Sequence, residues 1–277
     1  MKYYKGGSEA AILEKERYTN HKVYTIPMAD VCEASIPSNM KNIIMYEGSN
    51  GREMVNVTSS RYSLTHIKDI IEPIEQKLST KNIDWDVAYN RHSRLHQYQV
   101  VYRLTSIEVP ITENDTVNPQ IVIKHSYDGK VSYGIQMAAF RHICSNMLTL
   151  PYKNTEVFKL TSKHISLDAN EINRHVDILL RVITQEFDNQ INVFKVMADS
   201  MLDNWEDRMS EVIAATKYPT KLVDIAKARF VYEQSCGLSP SDYLLYNALN
   251  YALYNNDDNK TPEMRSKLDG KVLAYIH

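Results

Sequence analysis

The chain has 277 residues, 43% of them hydrophobic and 24% charged, which fits one large globular domain or two of ordinary size. No apolar run approaches the roughly 18 residues of a membrane span, and the start, MKYYKGGSEAA, lacks the apolar core of a signal peptide, so the expected location is the cytoplasm, away from any membrane. Cys32, Cys144 and Cys236 form no CxxC pair, which argues against a disulfide framework and a structural zinc site and leaves free buried thiols as the expectation. The net charge of -2 hides a division: 17 acids and 12 bases follow Leu167, against 17 and 20 before it.

In chain order, the Ile-, Val- and Tyr-rich runs around Gly48 to Arg52 predict a β-hairpin with a four- or five-residue loop. Ile67, Ile70, Ile71, Ile74 and Leu78 fall at helical spacing after Ser63 or Thr65 as cap, with Pro73 kinking the helix or starting its second turn. Residues 83 to 137 read as β structure. Trp85, Val87 and Tyr89 alternate, then Tyr98, Val100, Tyr102 and Leu104, and IVIKHS leads to an Asp128-Gly129 turn of type I′ and a return strand from Val131 to Met137. The run AAFRHICSNMLTL predicts a short helix ending before Pro151.

From Leu167 the period becomes helical. Asp168 and Glu171 form a capping pair, and a stripe from Ile172 to Met201 predicts a helix of about 34 residues, roughly 50 Å long. That length suggests a partner helix, from this chain or from a second copy, and so a homo-oligomer. Trp205–Thr216 and Thr220–Tyr232 predict shorter helices. Ser239-Pro240-Ser241-Asp242 is a helix start with Ser239 as cap, and a final helix covers Glu263 to Ile276. The fold class is therefore α+β: a mainly antiparallel sheet with packed helices over 1–165, then a helical region, 166–277, that packs on it or mediates self-association.

Between Val87 and Ile107, Arg91, His92, Arg94, His96 and Arg103 interleave with Tyr89, Tyr98 and Tyr102, and no carboxylate intervenes. Cations tracking phosphates beside rings that stack on bases are the chemistry of a single-stranded nucleic-acid site. The other reading is a strand pair with a solvated basic face. His92 and His96 lie four apart but on a strand or loop, with no glutamate between them, so no metal site is assigned. No nucleophile elbow, Walker loop or dinucleotide fingerprint is present; no catalytic residue and no cofactor is assigned.

The segment IVIKHSYDGKVSYGIQMAAFRHICSNMLTL, from Ile121 to Leu150, resembles the core motif of the phage/plasmid-like proteins carrying domain of unknown function 932. Ser60-Arg61-Tyr62 and Tyr246-Asn247-Ala248-Leu249-Asn250-Tyr251 resemble two further motifs of that family, and the likeness spans about residues 40 to 276. His125 stands where the family usually has Asn, and Met147 where Gly is common. The resemblance implies a home in phages, plasmids or other mobile elements and no established reaction. Among the motif residues, Arg61 and Tyr62 are expected to lock the first helix onto the sheet. Arg141 and Asn146 share a helix face beside the Asp128-Gly129 turn, and Asn247 makes one buried side-chain bond. Arg141 either pairs with Asp128 as a structural clasp or stays free to contact phosphate.

The leading expectation is a non-enzymatic nucleic-acid-binding protein of a mobile element, one that binds single-stranded DNA during recombination or replication. Its contacts would be Arg91, Arg94, Tyr98, Tyr102 and Arg103, with Lys124 and Arg141 behind them. The alternative is a protein-interaction module that binds a host enzyme or defence component, or a phage structural accessory; a large apolar or tyrosine-rich patch on the 170–203 helix, exposed in the monomer, would favour it. An enzyme would need His125, Asp128, Arg141 and His142 to converge in one pocket.

Overall fold

The computed structural model describes residues 2–31, 41–48, 51–92, 96–141, 146–148, 159–162, 168–256 and 262–277. Every described strand precedes residue 163, and every described helical element after that point is a helix of the C-terminal part, so the α+β class holds. The larger sheet contains β1 (Tyr4–Lys5), β5 (Trp85–His92), β6 (Gln97–Leu104), β8 (Asp115–Ser126), β9 (Tyr133–Arg141) and β10 (Asn146–Leu148), in that order. Also in it, β7 (Val109–Thr112) pairs with β8 and β11 (Lys159–Ser162) with β9. A smaller sheet has the order β2 (Lys22–Pro27), β3 (Lys41–Gly48), β4 (Gly51–Ser59). The described register pairings are all antiparallel.

The chain divides into two compact units that interleave along the sequence: 1–106 with 120–137 and 154–182, and 107–119 with 138–153 and 183–277. Both units draw on the strand-containing part up to Ser162 and on the helical part from Ala169.

In the first unit, α1 (Glu9–Thr19) starts at Ser8, whose hydroxyl accepts a hydrogen bond from the Ala11 N–H at 3.2 Å. This helix left no trace in the hydrophobic pattern because it buries only Ala11 and Tyr18, while Ile12 and Leu13 face water. In α2 (Ile67–Thr80) the expected stripe is buried: Ile67, Ile70, Ile71, Ile74 and Leu78 all lie in the core. Each such side chain contributes about 1.5–3 kcal/mol by leaving water. The helix begins differently from expectation. Its cap position is His66, without a side-chain bond, and the Ile67 N–H donates instead to the Tyr127 hydroxyl at 3.0 Å. Pro73 lies inside the helix, where it withholds one backbone donor.

The Asp128-Gly129 turn is also wider than the expected two-residue type I′ turn. Residues 127–132 separate β8 from β9, and of Asp128 and Gly129 only Gly129 has a positive φ, 72°. The loop is tied by Ser126, whose hydroxyl donates to the Val131 carbonyl at 2.9 Å and accepts from the Val131 N–H at 3.0 Å, and by the Asp128 carboxylate, which accepts from the Lys130 N–H at 3.0 Å.

The expected helix after Met137 is corrected to strand. β9 continues through Ala138, Ala139, Phe140 and Arg141, all buried, and Arg141, Phe140 and Ala139 pair with Asn146, Met147 and Leu148 of β10. A strand covered on both faces reads as an unbroken apolar run, which periodicity does not separate from a short helix.

The long helix exists as α3 (Ala169–Asp199), and Asp168 caps it by accepting from the Glu171 N–H at 2.8 Å. Its stripe from Ile172 to Met197 is buried within this one chain. In the second unit follow α4 (Trp205–Thr216), α5 (Val223–Ser235), α6 (Asp242–Tyr254) and α7 (Pro262–Ile276). The cap of α6 is Ser241, whose hydroxyl accepts from the Leu244 N–H at 3.3 Å, two residues beyond the expected Ser239. Eleven of the thirteen α6 residues are buried, the signature of a central helix surrounded by packing.

Candidate functional site

Tyr98 and Tyr102 of β6 point to the protein's interior, and Tyr89 of β5 is half-buried. Tyr98 is 2% exposed and Tyr102 0%, so neither offers a ring on which a base can stack. Period-2 alternation finds the face the two share but does not say whether that face is wet or dry. Tyr98 packs among Tyr18, His21 and Tyr127 at centroid distances of 5.2–5.4 Å, and its hydroxyl pairs with His21 Nε2 at 3.2 Å. Tyr102 and Tyr89 both donate to Oε1 of Glu75, at 3.1 and 3.3 Å, while Lys15 holds Oε2 at 2.7 Å. Burial, and then the Glu75 charge, pushes both phenols well above the ordinary tyrosine range.

The basic residues divide into two groups. Arg103 is bound to the Asp86 carboxylate and lies over the Tyr3 ring at 4.9 Å. Lys124 is half-buried on β8, opposite Gln99. Arg91 is on β5, opposite Tyr98, and Arg94 lies outside the described residues. Arg61 and Lys130 are exposed.

At one end of this unit the motif segments meet. Gln97, the first residue of β6, donates from Nε2 to Asp128 Oδ2 at 3.3 Å. The Tyr62 hydroxyl is pushed up to about 12, first by burial and then by the negative charge of Asp128. A Cβ on Gly129 would stand 2.8 Å from Asn56 Nδ2 of β4. Tyr127 N–H donates to the His96 carbonyl at 3.1 Å. His96 itself adopts a left-handed φ of 46°, uncommon for a residue with a side chain; its Nε2 is 3.1 Å from Glu53 Oε1, and its ring lies 4.8 Å from that of Tyr46. Thus Arg61-Tyr62, the Asp128-Gly129 loop and the residues that open β6 share one rim, with His125 fully buried behind it, 4.9 Å from the Tyr127 ring.

Arg141 belongs to the second unit and has neither of the two roles expected for it. Its side chain is 0% exposed, which removes it as a phosphate contact, and its partners are Asp115 and Glu233 rather than Asp128. The Nε–H donates to Asp115 Oδ2, and one Nη–H donates to Glu233 Oε2 at 2.5 Å. Arg229 closes the group with a 2.7 Å bond to Glu233 Oε1. Two cations and two carboxylates therefore neutralise one another in the interior, the condition for burying charge at tolerable cost. The Tyr243 ring lies 5.1 Å from the Arg141 guanidinium. Burial pushes the Asp115 carboxyl up, against the opposing pull of Arg141 and the Tyr243 hydroxyl.

Asn146 stands opposite Arg141 on β10, a strand pair in place of the shared helix face. Asn247 makes the expected buried bond, donating to the Tyr243 carbonyl at 2.7 Å. Of the four residues an enzyme would need together, His125 and Asp128 belong to the first unit, Arg141 to the second, and His142 lies outside the described residues. No group of three or more His, Cys, Asp or Glu able to hold a metal occurs among the described residues. Cys236 is exposed rather than buried, and Cys32 and Cys144 lie outside the described residues.

The sequence did not single out Asp115, Glu233, Glu75, His21 or Glu53. Among these residues, only the Arg229 to Glu233 spacing of four on a helix carries a local signal.

No curated protein and no solved structure matches this chain. The family model for Domain of unknown function (DUF932) matches residues 54–256, which include Arg61-Tyr62, Asp128-Gly129, the buried Arg141 group and Asn247. The chain therefore belongs to the DUF932 family.

Proposed function

We propose that this protein binds single-stranded nucleic acid without catalysing a reaction, in the service of a phage, plasmid or other mobile element, and that the contact surface is the loop rim of the first unit. The observation that carries this reading is the meeting, at one rim, of the Arg61-Tyr62 segment, the 127–132 loop and the start of β6, with Arg61 and Lys130 exposed. Arg91, near the end of β5, and Arg94, which follows it, belong to the adjoining stretch of sequence. Exposed cations on loops, such as Arg61 and Lys130, suit phosphates, because a cation with no internal ion pair to break can neutralise the backbone at lower cost. Arg103, bound to Asp86, is a weaker candidate for the same reason. The phage and plasmid setting implied by the family resemblance supports this reading.

The test is a fluorescence-anisotropy titration with a labelled single-stranded oligonucleotide and its duplex at low and moderate salt. The wild type should bind the single strand with salt-sensitive affinity. Arg61→Ala combined with Lys130→Ala should reduce the slope of log affinity against log salt by about 2, roughly one per phosphate contact, and Arg91→Ala with Arg94→Ala should flatten it further. No binding at micromolar protein in low salt overturns the proposal. The protein-interaction alternative has less support, because the α3 stripe whose exposure would favour it is buried from Ile172 to Met197.

A further inference from the structure

A second site lies wholly within the other unit. Its pocket has a volume of about 330 Å³, within the lower part of the range typical of small-ligand sites. The hairpin turn between β7 and β8 contributes Glu113 and Asn114, the loop between α5 and α6 contributes Ser239, and Ala198, Met201 and Leu244 form apolar walls. Tyr243 also reaches the pocket, so its lining and the buried Arg141 group share one residue.

The chemistry of the lining is one-sided. Glu113 is the only charged residue in it, it is exposed, and among the described residues it has no ion-pair partner. Asn114 and Ser239 add side-chain oxygens, while Met201 and Leu244 supply apolar surface. A thioether that stands 56% exposed, as Met201 does, adapts readily to an aliphatic chain laid against it. Asp199 and Asp203, on either side of Met201 in sequence, are exposed acids as well.

We propose that this pocket binds an aliphatic primary ammonium group: the head accepted by Glu113 with Asn114 and Ser239, the methylene stem lying along Met201, Leu244 and Ala198. That chemistry is shared by a free diamine and by a lysine side chain of a partner protein. The inference does not depend on the nucleic-acid reading, since it concerns different residues in the other unit.

The test is isothermal titration of the full chain with cadaverine and, separately, with Nα-acetyl-lysine methylamide as a stand-in for a protein side chain; 1,5-pentanediol serves as the uncharged control. Glu113→Gln is the informative variant, because an exposed turn residue can be changed without disturbing the core, and circular dichroism would verify its fold. Saturable binding of either amine, absent for the diol and weakened about tenfold or more in Glu113→Gln, supports the site. Tighter binding of cadaverine identifies a free diamine as the ligand, and tighter binding of the lysine derivative identifies a protein side chain. Failure of both amines to bind the wild type at millimolar concentration overturns the proposal, and so does equal affinity in wild type and Glu113→Gln.

Discussion

The two units bury their polar groups by opposite means. In the first, the fully buried polar groups are mostly neutral, phenols and imidazoles around Tyr98, Tyr127 and His125, while the Glu75 carboxylate shared by Tyr89, Tyr102 and Lys15 is only half-buried. The second buries formal charge: Arg141 and Arg229 against Asp115 and Glu233, three of the four at 0% side-chain exposure. Neutral hydrogen bonds can be lost one at a time at modest cost, whereas a buried ion group stands or falls as a set. The first arrangement tolerates change and leaves its rim available for contacts; the second fixes its surroundings.

The largest expected effect breaks the second arrangement. Arg141→Met should strand the buried Asp115 carboxylate and leave Glu233 with Arg229 alone, lowering stability by about 3–5 kcal/mol, read as a shift of the urea midpoint. A loss below about 1 kcal/mol would show that the group is not coupled as described. The companion variant, Arg141→Met with Asp115→Leu, should recover much of the loss, because Glu233 keeps Arg229 as its counter-charge and no other charge of the group is left unpaired.

A smaller effect is expected in the first unit. Tyr102→Phe removes one of two phenolic donors to Glu75 and should cost about 1–3 kcal/mol. If it costs as much as Arg141→Met, the contrast between the units fails.

The pH response sharpens the same contrast. Tyr62 is raised to about 12 and Tyr89 and Tyr102 are raised as well, so in the unfolded chain these phenols lose their protons near 10 while the folded chain still holds them. A raised folded-state value means that the stability contribution is complete below about 10 and is lost as pH climbs through the folded value. Absorbance at 295 nm should therefore show a delayed group of tyrosines, with denaturant midpoints falling above pH 10, and Tyr62→Phe should lessen the fall. The smallest effect is at the rim. Gly129→Ala places a side chain at φ 72°, against Asn56, and should cost about 1 kcal/mol.

What the sequence made legible follows from the range over which each signal acts. The α2 stripe, the α3 stripe and the β5–β6 alternation are local periodicities, and all three elements are present. The strand through Ala139 and Phe140 was misread because it is buried on both sides, and α1 was missed because Ile12 and Leu13 face solvent. At the rim, Arg61, Tyr62, Asp128 and Gly129 could be singled out as motif residues, but their meeting place depends on strand order. The partners of Arg141 were beyond local reach, since they lie 26 and 92 residues away. A charge in an apolar run announces that a counter-charge must exist without saying where.

The longer of those separations has a consequence for synthesis. Arg141 leaves the ribosome well before Glu233, and at translation rates of about 5–20 residues per second the interval is roughly 5–18 s for the 92 intervening positions. Through that interval the guanidinium lacks half of its final neutralisation, and its strand has reason to stay hydrated. The second unit therefore completes late, as a post-emergence event timed by α5, while chain segments of the first have already been exposed for seconds.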